Sequence, residues 1–342
     1  MGGRIKTLSN GEEELKEIRA GIIGLCMGHR LGNLLFASVE LGIFDSIPEG
    51  GETAEEVAHN CELDPSAAKV LLQSLSASGL LEREGSRFRV PSQFAPLLRR
   101  GPASLIPHIK LMHEESGYWL RAAEILRPAY DGSVLADVQF RDDSVGAYMD
   151  LVEWNNENYA ELLWNAISDS VPGLRQVLDV GPGYGYFSSA LLRLNEHVVV
   201  TFYDMENALR RCRQRHEGQL YAHRIRWETG EAPALPYHEC FDLVMANDLL
   251  HYFSSAEKLN YLRAAREALK PGGRFVVVKI RLEDSGCAPQ SAAIFSYKMF
   301  LTTHKSYLET DEELELLAQE VGFQDVKRIP LDDFKTLVTG TK

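Results

Sequence analysis

Several features that would place the chain in a specialised class of protein are missing from its sequence. The five cysteines are scattered, odd in number and form no CxxC pair, which indicates free thiols in a reducing compartment. No segment repeats, and no stretch has low complexity. The net charge is −13, so a polyanion is not an expected partner. These absences predict an ordinary cytoplasmic protein.

Membrane signals are also weak at the sequence level. Residues Met1 to Asn10 are polar and lack the apolar centre of a signal peptide. The most apolar early stretch, Ala20 to Phe44, is interrupted by His29 and Arg30. A bilayer span needs about 20 predominantly apolar residues. We therefore expect neither a signal peptide nor a membrane partner.

What is present is the composition of a globular protein. The chain has 342 residues, of which 45% are hydrophobic and 25% are charged. This length suits two domains of ordinary size, each able to bury a core.

The first part of the chain has the pattern of a small helical domain with a hairpin. Apolar spacing over residues 12–44 is helical, and Thr53 with Glu56 forms a capping box. Asp64 followed by proline opens another helix, and Leu80 to Val90 reads as a hairpin. The order of helices followed by a hairpin predicts a winged-helix plan.

A winged helix often binds DNA, so the charges of this one matter. Its candidate recognition helix, residues 67–78, carries one basic residue, Lys69. A DNA reader needs arginine and lysine to neutralise phosphates and to contact base edges. We therefore expect a packing and dimerisation module and no nucleic-acid partner.

Two long helices, Ile106 to Leu126 and Val145 to Ile167, are predicted between the two halves. Both are rich in aromatic residues, and helices between domains often form the wall of a cleft. The predicted division is a winged-helix domain over 1–100, linker helices that wall the acceptor cleft over 101–170, and an α/β domain over 171–342.

The second half alternates strand and helix. Short apolar runs typical of buried parallel strands end at Val180, Tyr203, Ala246 and Ile280, and helical patterns separate them. This alternation predicts a Rossmann-like, doubly wound α/β fold. Ligands of such sheets bind beyond the carboxyl ends of the strands.

The strongest local signal is the glycine-rich segment after the first of these strands. Gly181, Gly183 and Gly185 allow a tight turn and close approach of a ligand. The spacing departs from the dinucleotide fingerprint, and Asp179 immediately precedes the glycines. A carboxylate repels a pyrophosphate but attracts a sulfonium and an amino group. Asp204, at the end of the next strand, is placed to bind ribose hydroxyls.

On these residues the chain resembles the class I methyltransferases that use S-adenosylmethionine (SAM). More narrowly, it resembles the small-molecule O-methyltransferases typified by caffeate, phenazine and polyketide enzymes. The matching segments are Leu178-Asp-Val-Gly-Pro-Gly-Tyr-Gly185, Tyr203-Asp-Met-Glu-Asn207, Leu249-Leu-His-Tyr-Phe253, Leu269-Lys-Pro-Gly-Gly-Arg274, Leu316 to Phe323 and Ala37 to Phe44. The resemblance implies a winged-helix dimerisation domain before a SAM-binding domain, and a homodimer formed through the N-terminal helices.

The resemblance also assigns the cofactor residues. It places the glycine loop and Asp179 at the methionine part of SAM and Asp204 at the ribose. Gly230 and Glu231 fall at the adenine. Met205 and Asn247 are assigned to the same cofactor site.

The resemblance makes His251 the general base that deprotonates an acceptor hydroxyl. The family's His-Asp-Trp is His251-Tyr-Phe here. The first acidic residue that orients the family's histidine maps to Asp284, and the second falls on Leu308, with Glu309 displaced by one. Carbon or nitrogen methylation by positioning alone therefore remains open, as does a binding protein without catalysis.

The expected acceptor is a small, largely apolar molecule, aromatic or polyketide-like. The residues assigned to its pocket are Met149, Trp154, Phe295, Met299 and His304. His251 and His304 facing one cleft would allow a metal, but no carboxylate has a suitable spacing, so no metal is predicted.

Overall fold

A computed structural model describes residues 12–128, 130, 145–156 and 158–342. The chain divides into two compact units, with the boundary between Glu114 and Glu115. The divisions predicted at residues 100 and 170 stay a prediction.

Most of the first unit is helical, as predicted. Its elements are α1 (Glu12–Glu40), α2 (Ile43–Ser46), β1 (Glu52–Thr53), α3 (Ala54–Asn60), α4 (Pro65–Ala77), β2 (Glu82–Glu84), β3 (Arg87–Arg89), α5 (Ala95–Leu98) and α6 (Ile106–Leu120), which continues past the boundary. The capping box at α3 is confirmed: the Thr53 hydroxyl accepts from the Glu56 N–H, and the Glu56 carboxylate accepts from the Thr53 N–H at 2.7 Å. The Asp64 cap of α4 is confirmed as well.

The predicted hairpin joins a small sheet. Its strands lie in the antiparallel order β1-β3-β2. Phe88 of β3 is buried in a core with Val57, Leu72 and Leu75. Burial of these side chains is what stabilises so short a sheet, because a two-residue strand has few hydrogen bonds of its own.

Helix α1 leaves much of its apolar surface exposed. Ile22, Ile23, Leu25 and Leu31 are each at least half exposed. Among the described residues, Glu14–Glu40 is long and apolar enough to cross a membrane by length and composition, with 11% of its most apolar window buried. The sequence argument that His29 and Arg30 exclude such a helix is therefore wrong on this criterion.

The second unit is an α/β domain. Its helices after α6 are α7 (Ala122–Ile125), α8 (Val145–Asn155), α9 (Tyr159–Ile167), α10 (Tyr186–Leu194), α11 (Glu206–His216), α12 (Ser255–Ala268), α13 (Gln290–Thr303) and α14 (Asp311–Val321). Its strands are β4 (Gln176–Val180), β5 (Val199–Asp204), β6 (Ile225–Thr229), β7 (Phe241–Met245), β8 (Leu269–Ile280), β9 (Gln324–Pro330) and β10 (Lys335–Thr341).

These strands form one sheet in the order β6-β5-β4-β7-β8-β10-β9. Strands β4 to β8 are parallel, and β10 is antiparallel to both of its neighbours. The Rossmann-like fold is thereby confirmed. The chain moves outward from β4 in one direction and from β7 in the other, so the topological switch point lies between these two strands. Their carboxyl-end loops are where a ligand site is expected.

Strand β4 shows how the sheet buries both faces. Val177 packs in one hydrophobic cluster, whereas Leu178 and Val180 pack in the cluster on the other face. Asp179 lies between Leu178 and Val180, so its side chain is on the same face as that of Val177, and it is also buried. Since a carboxylate is costly to bury, its position at the end of the strand indicates a specific role.

Candidate active site

A cavity of about 310 Å³ lies within the second unit, at the carboxyl edge of β4, β5 and β7. This volume is at the lower end of the range of small-molecule sites. Nine of the predicted site residues line it: Met149, Asp179, Gly181, Gly183, Asp204, Met205, Gly230, Glu231 and Asn247. The fold therefore brings the predicted cofactor residues other than Gly185 together around one cavity.

The glycine loop connects β4 to α10. Gly181 and Gly183 have φ values of +66° and +56°, which side chains disfavour. The Gly181 N–H donates to the Tyr203 carbonyl at 2.9 Å, and a Cβ on Gly183 would face open space. Gly185 does not line the cavity. Instead it starts α10 at φ +70°, where a Cβ would lie 2.5 Å from the Phe202 ring.

Asp179 is the most deeply buried acid of the cavity wall. The Ser188 hydroxyl donates to its carboxylate at 2.5 Å. Burial raises the pKa of Asp179 to about 7, the hydrogen bond from Ser188 opposes this rise, and the negative charge of Asp204 adds to it. A cation in the cavity would therefore be attracted by this group only as its proton is released.

Asp204 ends β5 and faces the same cavity. Its carboxylate accepts from the Met205 N–H at 2.7 Å, while burial raises its pKa to about 6. Beside it, the Gly230 N–H donates to the Asp204 carbonyl at 3.0 Å. A Cβ on Gly230 would overlap the phenol of Tyr203, so this close approach requires glycine. Glu231 follows at the exposed rim of the cavity.

Asn247 supplies a polar group from the loop after β7. Its side-chain carbonyl accepts from the Val278 N–H at 3.0 Å. Its amide nitrogen is buried and has no hydrogen-bond partner in the part of the chain that the structure describes. Because a buried amide donor without a partner is costly, a ligand in the cavity is the natural acceptor.

These residues fit SAM. The carboxylate at the end of β5 suits the two ribose hydroxyls, and the glycine backbone of the β4 loop leaves open space for the methionine part. The orphaned Asn247 amide and the acid at Asp179 complete a polar lining suited to a cationic ligand.

His251 lies just beyond this cavity and does not line it. It sits in a short 3-10 turn, is 3% exposed, and its ring packs edge-on against Phe295 with centroids 5.1 Å apart. Its Nε2 is buried and has no hydrogen-bond partner among the described residues. Burial lowers the pKa of His251 to about 4, so the imidazole is neutral at physiological pH.

The structure corrects the expected carboxylate partner of this histidine. Asp284 is half exposed and forms an ion pair with Arg328 at 2.8 Å. It also accepts from the Glu312 N–H. The acids that raise the pKa of His251 are Asp248 and Glu309. Asp284 was assigned because the family's first acidic residue maps to it, yet its side chain is held by Arg328 of β9.

Glu309 lies one residue after the position that the resemblance gives to the second acid. It is 2% exposed and lies 2.7 Å from the ammonium of Lys258, which is 1% exposed. The Lys258 ammonium also donates to the Tyr307 carbonyl at 2.7 Å. The one-residue displacement noted in the sequence therefore still leaves a buried carboxylate whose charge acts on His251.

The predicted acceptor residues are dispersed. Met149 is buried and lines the cavity, whereas Phe295 contacts His251. Met299 is fully buried in the core of the sheet domain. His304 ends α13 with φ +58°, and burial lowers its pKa. The side chain of Trp154 lies outside the described residues.

Sequence reasoning missed several residues of the cavity wall. Tyr148 comes from α8 and Asn156 directly follows it, and Asp248 and Tyr252 come from the loop after β7. The hydroxyl of Tyr252 donates to that of Tyr148, and the Asn156 amide donates to Asp248 at 2.9 Å. The cavity residues along α8 are three or four positions apart, a spacing that marks one face of a helix. This spacing is the signal by which the sequence could have predicted them.

Among residues 12–128, 130, 145–156 and 158–342, no group of three or more metal-binding side chains is found.

Two family patterns match the chain. Residues 177–273 match a methyltransferase domain, and residues 23–94 match an O-methyltransferase dimerisation domain. The first covers strands β4 to β7 and the start of β8, together with the glycine loop. The second covers most of α1 and continues to β3.

Curated relatives span most of the chain. It is 24% identical over 273 residues to the 3-hydroxy-5-methyl-1-naphthoate 3-O-methyltransferase of Streptomyces sahachiroi, covering 79% of each chain. It is 27% identical to the aclacinomycin 10-hydroxylase RdmB of Streptomyces purpurascens, over 85% of this chain and 82% of the relative.

Solved structures share the fold. The structure of PigF with S-adenosylhomocysteine (SAH), from a Serratia strain, superposes with a TM-score of 0.83. The two sequences are 20% identical, over 94% of this chain and 98% of that one.

The fold, the cavity at the switch point and the matched domain define a SAM-dependent methyltransferase. More particularly, an O-methyltransferase dimerisation domain precedes the methyltransferase domain in this chain, as in SAM-dependent O-methyltransferases.

Proposed function

We propose that this enzyme transfers the methyl group of SAM to a hydroxyl of a small, largely apolar acceptor, aromatic or polyketide-like, with His251 as the general base. The observation that carries the proposal is the cavity at the switch point, where Asp179, Asp204 and Asn247 meet. The similarity to an enzyme that methylates a naphthoate hydroxyl supports an aromatic acceptor.

SAM, when bound, supplies a methyl group on a sulfonium cation. The glycine loop leaves room for its methionine part, and Asp204 would hold its ribose. Met205, Gly230 and Glu231 complete the cofactor wall beyond Asp204. The acid at Asp179 favours the cation over the neutral product.

The acceptor would enter from the side of α8 and α13. Met149 and Phe295 present apolar surface to it, and Met299 and Trp154 belong to the same helices. His304 is proposed as a polar residue of this wall. These side chains would orient a flat acceptor so that its oxygen lies in line with the methyl group.

His251 would take the proton of the hydroxyl. Its neutral imidazole has a buried Nε2 without a partner among the described residues, which makes it available as an acceptor. A pKa of about 4 makes it a weak base, because the most effective bases titrate near the working pH. The negative charges of Asp248 and Glu309 would stabilise the imidazolium as it forms.

This weak basicity also favours a second candidate function. Transfer to carbon or nitrogen needs an aligned nucleophile more than a base. A low-pKa His251 and the pairing of Asp284 with Arg328 suit such a reaction. The hydroxylase name of one relative is a further reason to test acceptor chemistry directly.

Two experiments test the proposal. Calorimetric titration with SAM and SAH, with Asp204→Ala as control, should show binding that the variant loses. His251→Ala should then abolish methyl transfer to phenolic acceptors but affect aromatic amines less, with His238→Ala, an exposed histidine, as the matched control. Methylation of a phenol at a near-normal rate by His251→Ala would contradict the assignment of His251 as the base. No binding by the wild type would favour a protein that has kept the fold without catalysis.

A further inference from the structure

The turn between Asn247 and His251 is held in an unusual backbone conformation. Asp248 has a φ of +51°, a left-handed value that residues other than glycine rarely adopt. Its N–H donates to the Val278 carbonyl at 2.8 Å, while the Asn247 side chain accepts from the Val278 N–H. The turn is therefore fixed to β8 at two neighbouring points.

The side chain of Asp248 forms a buried ion pair with Lys335 of β10. The Lys335 ammonium lies 2.6 Å from one carboxylate oxygen and 2.5 Å from the other. The two side chains are 8% and 7% exposed. Asn156, directly after α8, donates to the same carboxylate, and the Lys335 ammonium lies 5.8 Å from the centre of the Tyr159 ring.

Stability alone does not explain this pair. Desolvation of two charges offsets much of their attraction, and apolar residues of similar size often stabilise a core equally well. Burial raises the pKa of Asp248 and the Lys335 ammonium lowers it, with a net decrease, so the carboxylate is ionised. The position of Asp248, at the cavity wall and three residues before His251, points to a role of the pair in the site.

The two charges act on His251 in opposite directions. Asp248 raises the pKa of the imidazole and Lys335 lowers it. The other charged groups that face His251 are Glu309, which raises its pKa, and Lys258 of α12, which lowers it. Each of the two acids is thus matched by a lysine.

We propose that the Asp248–Lys335 ion pair is a positioning pair for methyl transfer: it fixes the turn that brings Asn247 to the cofactor cavity and sets the charge that His251 experiences. The proposal rests on the proposed role of His251 as the base. Neither Asp248 nor Lys335 needs to touch the acceptor for this effect.

The decisive measurement is the titration of the His251 imidazole by nitrogen-detected NMR, in the wild type and in three variants. Lys335→Met should raise the pKa of His251 by about one unit, because a neighbouring positive charge is removed. Asp248→Asn should lower it. The double variant Asp248→Asn/Lys335→Met leaves no unpaired buried charge, and its pKa should lie between those of the two single variants.

Kinetics provide a second readout. His251 acts as a base only when neutral, so kcat/KM should fall as pH drops through its pKa. In Lys335→Met this acid limb should move upward by about one pH unit, whereas Lys335→Arg, which keeps the charge, should restore its position. A change in folding alone would move both single variants in the same direction, and equal or absent shifts in the NMR titrations would overturn the proposal.

Failure of the wider proposal would look different. If His251→Ala keeps full activity toward phenols, the base role is lost, yet the NMR titrations still report whether the ion pair sets the charge at His251. If the titrations do not move while His251→Ala is inactive, the base role stands and the positioning pair fails.

Discussion

The Ser188 hydroxyl of α10 donates a 2.5 Å hydrogen bond to the Asp179 carboxylate at the end of β4. Both side chains are buried, and the glycine loop runs between them in sequence. The hydrogen bond favours the ionised carboxylate, but burial outweighs it, so Asp179 stays largely protonated until pH reaches about 7. The cofactor cavity therefore carries the least negative charge at acidic pH and becomes more negative as the pH rises.

We predict that SAM binds more tightly as pH rises from about 5.5 to about 8. The pKa values of Asp179 and Asp204 are raised to about 7 and about 6, so both carboxylates lose protons over this range. A cation favours the ionised forms, and affinity should increase by up to about tenfold per pH unit where one proton must leave. Calorimetric titration across this pH range measures the slope.

Asp179→Asn is the matched control, because it keeps the shape of the side chain and removes its titration. Its slope should be shallower than that of the wild type. SAH, which lacks the sulfonium charge, should depend on pH less than SAM does. An affinity for SAM that stays constant over the range would contradict the prediction.

Two glycines of the loop should respond differently to alanine. In Gly183→Ala the new Cβ faces open space and only the backbone is strained, so unfolding free energy should fall by about 1 kcal/mol. In Gly185→Ala the Cβ would also lie 2.5 Å from the buried Phe202 ring, and the loss of stability should be larger. We expect Gly183→Ala to fold but bind SAM weakly.

Thermal unfolding together with calorimetry separates the two effects. Gly21→Ala, in an exposed part of α1 where a Cβ meets nothing within 4 Å, serves as the control: it should leave SAM binding unchanged and should not lower stability, because alanine favours a helix more than glycine does. If Gly183→Ala bound SAM like the wild type, the loop would not be close to the ligand.

Local patterns were enough to predict which candidate cofactor residues lie at one edge of the sheet. Asp179 and the glycines form one short segment, and Asp204 ends the next strand, so their common edge follows from parallel strand order alone. The capping box at Thr53 could be predicted for the same reason, because it involves residues three apart.

Partner residues that are far apart in the sequence could not be predicted from it. Asp248 and Lys335 are 87 residues apart, and nothing in the sequence around either marks the other as its partner. Asp284 was paired with His251 by sequence position, but its partner is Arg328, on an edge strand that sequence reasoning missed. That strand, β9, is mostly exposed and polar, so it lacks the apolar run by which buried strands are found.

The correction at Asp284 has a direct test. Asp284→Asn should leave kcat/KM close to the wild-type value, since the side chain is half exposed and its ion pair with Arg328 does not reach His251. Glu309→Gln, by contrast, leaves Lys258 unpaired in the interior and should reduce both stability and activity. A large loss of activity in Asp284→Asn, with unchanged thermal unfolding, would restore it as a catalytic partner.

The exposed apolar residues of α1 lead to a prediction about assembly. Ile23 and Leu25 are 63% and 69% exposed, and they lie in the segment that matches an O-methyltransferase dimerisation domain. An exposed apolar patch of this kind marks a contact surface, and a second copy of the chain is the partner that such a domain implies.

We expect the wild type to sediment as a dimer and Ile23→Asp/Leu25→Asp to sediment as a monomer. Leu220→Asp, which changes a 95% exposed residue outside that segment, is the matched control and should remain dimeric. Sedimentation velocity at several protein concentrations distinguishes the states. A dimer that survives the double substitution would place the interface elsewhere, and association only with detergent micelles would instead favour a membrane role for this helix.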